Sequence, residues 1–449
     1  MILPNDAKKL IRLLLDNGYK AYAVGGCVRD SVLGRKCGDI DITTSATPQE
    51  VETLLEKNGI RYAETGLQHG TITAIVNKTP YEVTTFRSDG DYLDNRHPEA
   101  VEFVSDIRVD LARRDFTMNA LAYNDDEGFV DAFGGLEDIQ HRLIRAVGDP
   151  DRRFNEDALR IMRALRFASA LGFDIEENTK QSLFHNKDLL LNIASERIFT
   201  ELRKLLVGDN AEAVLTEYRE IIAVVIPELR PCFDFPQNSR WHIYDVYTHI
   251  VKSVAIAPKK DYVRFALLLH DIAKPQCKTT DARGDHFFNH PAVGADVTRS
   301  IMNRLRVSNE FKNKVIKLVE IHDMHITRRP SNIKKWLREL GEDLTYDFVD
   351  VRIADMSTHN PVLAGDEVRY LKEVRGLVNK IINSGEPYRI ADLKITGREL
   401  IAIGFRGKEI QNELEQLIKI VSGNPECNTA EKLTEIANRD WRKRNGKDN

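Results

Sequence analysis

Residues 6–18, DAKKLIRLLLDNG, repeat apolar positions at helical spacing, and Gly18 closes the run, so they predict an amphipathic helix. TPQEVETLLEKNG (47–59) predicts a second, with Thr47 as its cap, Pro48 at the first helical position and Gly59 at its end. Short β-type runs surround them: KAYAVGG (20–26), DIDITT (39–44), GTITAIVN (70–77), YEVTTF (81–86) and AVEFV (100–104). Past about Leu136 the strand signals nearly vanish. Helical patterns then follow one another at 155–171, 196–207, 243–256, 297–307, 309–321, 332–340 and 407–421. The pattern predicts an α+β head and a long helical body. Proline and glycine punctuation at 226–240 predicts a boundary within that body.

With 449 residues the chain exceeds a single hydrophobic core, so three or more packed units are expected. A hydrophobic share of 42% and a charged share of 30% fit a soluble globular protein. The formal net charge of −4 does not announce a nucleic-acid partner, which would have to meet a local basic patch. Five scattered cysteines without CxxC spacing predict reduced thiols in a cytoplasm. No stretch reaches the roughly 20 apolar residues of a membrane span. The start, MILPNDAKKL, turns polar too early for a signal peptide.

The candidate chemistry begins at residues 24–44, VGGCVRDSVLGRKCGDIDITT. On a strand, Asp39 and Asp41 point to one side and Ile40 to the other. Two adjacent carboxylates repel, and a hard divalent cation such as Mg²⁺ relieves that repulsion, commonly with substrate phosphates as further ligands. The Gly25-Gly26 turn before a helix offers backbone N–H groups to a phosphate, and Arg29 adds a charge-assisted contact. Metal plus phosphate cradle points to phosphoryl or nucleotidyl transfer. Taken alone, the DxD also fits an edge strand with two solvated aspartates.

This stretch resembles the signature of the class II tRNA nucleotidyltransferase and bacterial poly(A) polymerase family, within the DNA polymerase β-like superfamily. The resemblance implies that Asp39 and Asp41 bind Mg²⁺ and are catalytic, with Glu82 a possible third carboxylate. It implies that Arg114 and Asp115, in LARRDFTMNALAY (111–123), contact the ribose and phosphate of the incoming nucleotide. From pattern alone that segment reads as an amphipathic helix with a polar start. In DPDRRFNEDALRIMRALRFASALGF (149–173), Asp157 and Arg160 sit at i, i+3 of the predicted helix, a spacing that also suits a plain ion pair. The family's EDxxR is a protein template for the base. Arginine only donates and ionised aspartate only accepts. Cytosine and adenine each present an amino donor beside a ring acceptor, whereas guanine and uracil present the reverse, leaving buried groups unpaired at about 1–3 kcal/mol each. Between 142 and 166, seven arginines, among them Arg163 and Arg166, face four acids; this local excess of positive charge suits triphosphate and RNA.

A second constellation spreads over the helical body: His249, His270-Asp271 after an apolar run, His290, His322 and Asp355. Imidazole with carboxylate suits a divalent transition metal or Mn²⁺, which would activate a bound water. The pattern resembles the HD phosphohydrolase superfamily, in which Lys274 is the usual companion of the HD pair.

These resemblances divide the chain into a polymerase β-like nucleotidyltransferase head (1–136), a helical neck binding nucleotide and RNA (137–200), a helical body (201–240), an HD domain (241–360) and a helical, tRNA-binding tail (361–449). They imply a cytoplasmic enzyme that adds CCA to tRNA from CTP and ATP. The alternatives are an enzyme that adds only A, a poly(A) polymerase, and an RNA-binding nucleotide sensor with an inactive transferase. RSDGDYLDNRHPE (87–99) predicts a mobile loop, whose counterpart in the family helps the pocket switch from CTP to ATP. Oligomeric state is not legible.

Overall fold

A computed structural model describes residues 1–67, 70–90, 101–282 and 284–445. The chain forms two compact units, Met1–Pro227 and Glu228–Asn449.

The first unit opens with a mixed sheet. Its strands are β1 (Ala21–Val24), β2 (Asp41–Thr44), β3 (Arg61–Gly66), β4 (Thr71–Val76), β5 (Thr79–Thr85), β8 (Leu121–Asn124) and β9 (Gly128–Asp131), in the order β3-β4-β5-β2-β1-β8-β9; β6 (Arg87–Asp89) and β7 (Val101–Phe103) form a separate hairpin. β2 runs antiparallel to β1, with Val24 opposite Asp41, and parallel to β5, with Asp41 opposite Glu82. Helix Pro48–Lys57 is fixed at its start by a reciprocal box: the Thr47 N–H donates to Glu50 Oε2 at 2.7 Å and the Glu50 N–H to Thr47 Oγ1 at 3.4 Å. Tyr22, Val24, Phe86, Leu111, Ala120 and Ala122 pack into one core under the sheet.

Three sequence expectations change here. The segment 111–123 is not one helix. Helix Ile107–Ala112 stops, a 3₁₀ turn spans Thr117–Asn119, and β8 follows. β8 is sandwiched between β1 and β9 and nearly all buried, so it lacks the alternation that marks a half-exposed strand. The predicted helix 155–171 is broken into Pro150–Glu156 and Leu159–Leu171. At the break Asp157 is extended, and its Oδ1 accepts the Leu159 N–H at 3.1 Å, a local bond that competes with the helical ladder. β3 went unread because it is a mostly exposed edge strand with little apolar content.

The second unit is helical. Helices Val246–Ile256, Asp261–Leu269, His290–Arg304, Asn309–Ile321 and Glu342–Met356 carry the histidines and aspartates of the second constellation or pack against them. The helix predicted over 297–307 begins earlier, at His290, because Pro291 at its first turn is helix-compatible. A hairpin, Thr279–Asp281 with Gly284–His286, interrupts the helices. The tail packs Leu400, Phe405, Leu417 and Leu433 into a core of its own. No helix among the described residues is long and apolar enough to cross a membrane.

Candidate functional site

The head site lies at the start of β2. Asp39 is in a bend just ahead of the strand and exposed, Ile40 is buried, and Asp41 begins the strand. Glu82 stands beside Asp41 on β5, also exposed. The surrounding protein, then the charges of Glu82 and Asp39, push the Asp41 carboxyl above its usual range; Arg114 opposes them. This like-charge crowding is what a divalent cation relieves, and the donors are hard oxygens, so the residues fit Mg²⁺.

Gly25 turns the chain from β1 into the short helix Gly26–Val32 with φ of 78°, a left-handed value that favours glycine. A Cβ there would also sit 2.9 Å from an Arg114 guanidinium nitrogen and push that side chain aside. Among the described residues Arg114 pairs with Asp110 at 3.7 Å, and its buried Nε finds no hydrogen bond. It therefore faces the glycine turn with donors to spare.

Arg29 is more occupied. It donates to Asp30 Oδ1 at 2.8 and 2.9 Å and to Asn119 Oδ1 at 2.7 Å, and lies 4.9 Å from the centre of the Phe167 ring. Arg163 and Arg166 stack on the same ring, at 5.5 and 3.9 Å. Asp115 is buried and accepts from Arg163 at 2.8 and 2.5 Å, from Asn119 at 3.0 Å and from the Phe116 N–H at 2.8 Å. Burial alone would raise its pKa; Arg163, Asn119 and Arg160 overcome that and hold it at about 2. Arg166 pairs with Glu201 at 2.6 Å.

Asp157 and Arg160 do not bond each other through their side chains. Asp157 Oδ2 takes Arg197 at 2.9 Å. Arg160 donates to Glu156 at 2.8 Å and to the carbonyls of Arg153 and Arg113, both at 2.9 Å. Arg197 was missed in the sequence, because the fold alone brings Asp157 to it; the Asn119–Asp115 and Glu156–Arg160 bonds each span four residues, a local spacing that was the available signal. The loop reading at 87–99 falls largely outside the described residues.

The second site is drawn far tighter. Each ring commits its Nδ1: His270 to the Leu267 carbonyl, His290 to that of Phe287 and His322 to that of Val319, all at 2.7 Å, and His249 to Thr358 Oγ1 at 2.9 Å. A neutral ring that donates from Nδ1 to a carbonyl presents a bare acceptor at Nε2. These Nε2 atoms nevertheless face one another, His249 to His270 at 3.2 Å and His290 to His322 at 3.1 Å. Asp271 lies between the two pairs. Its Oδ2 is 3.3 Å from both His249 and His270, and its Oδ1 is 3.3 Å from His290 and 3.7 Å from His322. Asp355 Oδ1 approaches His249 at 3.0 Å and His270 at 3.8 Å. Facing acceptors around a bridging carboxylate fit divalent cations, with N/O donors suited to transition metals. His359, whose Nδ1 is 3.7 Å from Asp355 Oδ1, extends the set and was missed; its spacing four residues beyond Asp355 was the available signal.

The electrostatics show that the cluster attracts positive charge, and without a metal His270 carries a proton at Nε2 instead of a bare acceptor. Burial holds the His249 pKa down at about 4. Burial opposes charge on His270 as well, but Asp271 and Asp355 outweigh it and raise that pKa to about 10. Positive charge is thus drawn to the centre of the donor set. Lys274 reaches Asp271 Oδ2 at 2.7 Å and Gln237 at 2.8 Å. A cavity of about 350 Å³ opens onto Asp271, His290, His322 and Asp355.

Comparison with known proteins gives matches across most of the chain. Family models match a poly A polymerase head domain at 21–145, a probable RNA and SrmB-binding site of polymerase A at 172–233, and an HD domain at 242–357. The CCA-adding enzyme of Geobacillus thermodenitrificans is 51% identical over 210 residues, 47% of this chain and 51% of that protein. That of Limosilactobacillus reuteri is 48% identical over 212 residues, 47% and 52% of the two chains. The chain thus spans about half the length of the curated relatives it matches. Among solved structures, the Bacillus stearothermophilus CCA-adding enzyme in complex with CTP aligns over 99% of this chain and 100% of that one, with 28% identity and a TM-score of 0.72. The Thermotoga maritima CCA-adding enzyme complexed with tRNA aligns over 98% and 96%, at 20% identity and a TM-score of 0.57, a likeness of fold.

Proposed function

We propose that this chain, in which a poly A polymerase head precedes an HD domain, adds the 3′-terminal CCA to tRNA from CTP and ATP without a nucleic-acid template. The observation that carries the reading is the register of β2 with β5: Asp41 stands beside Glu82, next to Asp39, and Arg114 lies against the glycine turn. Mg²⁺ held by Asp39 and Asp41 supplies, when bound, the charge that activates the primer 3′-hydroxyl and neutralises the departing pyrophosphate. Arg114 offers the end of its guanidinium, which lies against Gly25, to the triphosphate, and Gly25-Gly26 lets the phosphates approach the backbone. Asp115 positions Arg163 at the nucleotide, and Phe167 seats Arg29, Arg163 and Arg166 around one ring.

Base choice falls to Asp157 and Arg160. Asp157 accepts from the base amino group, and Arg160 donates to the ring nitrogen. Three of the five guanidinium N–H donors of Arg160 go to protein partners, which leaves donors for the base. In the second unit, the two histidine pairs sharing Asp271, with Asp355, hold transition metals or Mn²⁺ for phosphoester hydrolysis, and Lys274 steadies the phosphate.

The deciding experiment supplies tRNA lacking its 3′ end with each labelled nucleotide alone and then with CTP and ATP together. CCA addition requires both nucleotides and stops after three residues. Long A tails would indicate a poly(A) polymerase, A without C an A-adding enzyme, and binding without incorporation a nucleotide sensor.

A further inference from the structure

Away from both centres, the second unit holds a cavity of about 800 Å³ whose walls come from helix Pro330–Leu340, helix Lys408–Gly423 and the turn at Arg389 and Ile390. Four cations line it, Lys335, Arg338, Arg389 and Lys419, against two acids, Glu339 and Glu415. Each acid is occupied, Glu339 by Lys335 at 3.9 Å and Glu415 by Gln411 at 3.0 Å. Arg389 is paired as well, with Asp392 at 3.4 Å and Glu342 at 3.5 Å. Arg338 and Lys419 differ. Among the described residues neither has a carboxylate partner, and the one hydrogen bond of Arg338 goes to Ser422 Oγ at 2.8 Å. That bond is firmly placed. The Ser422 hydroxyl donates to the Ile418 carbonyl at 2.6 Å, and the Ser422 carbonyl accepts from buried Lys334 at 2.9 Å, so the hydroxyl oxygen is held ready for the guanidinium. Lys419 lies one helical turn before Ser422, on the same face. Arg338 spends one donor on Ser422 and keeps the others. Burial lowers its pKa against the pull of neighbouring Glu339. A cation that gives up water without gaining an anion carries a cost that a bound oxyanion removes.

We infer that this cavity is a site for a small phosphorylated molecule, with its phosphate held by Arg338 and Lys419 and its carbon skeleton set against Ile390 and Ile418. The site goes beyond the proposed function and depends on neither centre. A guanidinium matches phosphate oxygens as a planar fork, and a lysine adds a point charge. The hydroxyls of Ser331 and Ser422 lie in the same lining, and Ile390 and buried Ile418 give it an apolar wall. A cavity of about 800 Å³ has room for a sugar phosphate or a nucleotide. An extended RNA backbone suits it less, because exposed Glu339 and Glu415 would meet successive phosphates with like charge.

The probe is ribose 5-phosphate, with ribose as its control. Both are titrated calorimetrically into the full chain carrying Asp41→Asn and Asp271→Ala, so that metal at either centre does not draw the phosphate. Ribose 5-phosphate is expected to bind and ribose not. Arg338→Gln or Lys419→Gln, added to that background, is expected to weaken binding about tenfold, the loss of one charge-assisted hydrogen bond. Lys419 is exposed and holds no partner, so its substitution spares the fold and keeps the test sound if Arg338→Gln does not fold. No binding of the sugar phosphate, equal binding of ribose, or an affinity unchanged by Lys419→Gln overturns the site. Binding of tRNA measured against salt concentration separates the other source of phosphate. An equal slope in wild type and Lys419→Gln supports the small ligand. A slope smaller by about one in the variant gives the contact to the RNA backbone and overturns the inference.

Discussion

The two candidate centres contrast in how much of the site the chain provides for itself. In the head, Asp39, Asp41 and Glu82 are exposed, and Arg114 keeps a donor unpaired. In the HD domain, His249, His270, Asp271, His322 and Asp355 are all buried, and ring nitrogens face each other at 3.1 and 3.2 Å. The head presents half of a coordination sphere and leaves phosphate oxygens to complete it, which suits a weakly held Mg²⁺ that arrives with its nucleotide. The HD cluster presents N/O donors from four histidines and two aspartates, which suits ions that stay. On the proposed function, carboxylates would hold a transient metal in one unit and, together with histidines, resident metals in the other.

The sharpest way to break this contrast is a crossed pair of variants. Asp41→Asn is expected to lower nucleotide incorporation by about 10³-fold or more, since several kcal/mol of charge stabilisation is lost, and to retain tRNA binding. Asp271→Ala is expected to abolish phosphoester hydrolysis and the metal seen by elemental analysis, with CCA addition spared. Near wild-type incorporation by Asp41→Asn in Mg²⁺, or an HD site that takes up no metal from Mn²⁺ or Ni²⁺, would erase the distinction.

A second, smaller effect separates scaffold from chemistry within the head. Asp115→Asn removes the main charge partner of the half-buried Arg163, which still faces Glu201, at a cost of about 2–3 kcal/mol in the stability of the first unit. The Asp115 pKa is depressed to about 2, so its contribution is complete above the ordinary aspartate value of about 3.9 and fades as pH falls toward 2. Denaturant melts at pH 7 and at pH 3 check this: the gap between wild type and Asp115→Asn should narrow at the lower pH. An equal gap at both pH values would remove the ion pair as its cause.

The smallest effect concerns base choice. Arg160→Ala is expected to reduce use of CTP and ATP and to admit UTP or GTP, shifting selectivity by about 1–3 kcal/mol. Single-nucleotide incorporation with all four triphosphates measures it. An unchanged preference for C and A would make Arg160 a structural link between Glu156 and the carbonyls it already holds.

The periodic helices, the strands that alternate, the DxD and the six histidines and aspartates that cluster in the second unit were legible because each rests on local pattern or on residue types that metals demand. β8 was not: a strand buried on both faces looks like any apolar run until its neighbours are known. Nor was the break at Asp157, where one side chain bonding the second N–H after it outweighs a continuous helical pattern.

By itself the sequence determined which groups are available and on which faces of their own elements they lie, because periodicity and donor chemistry are properties of the chain. Tertiary structure alone decided which groups meet. It set Glu82 beside Asp41 through the parallel register of β2 and β5, and it gave Asp157 to Arg197 and Arg160 to the Arg113 carbonyl. It also closed four histidines, far apart in the chain, around the two oxygens of Asp271. Such pairings depend on distances between elements, and no local spacing encodes those distances.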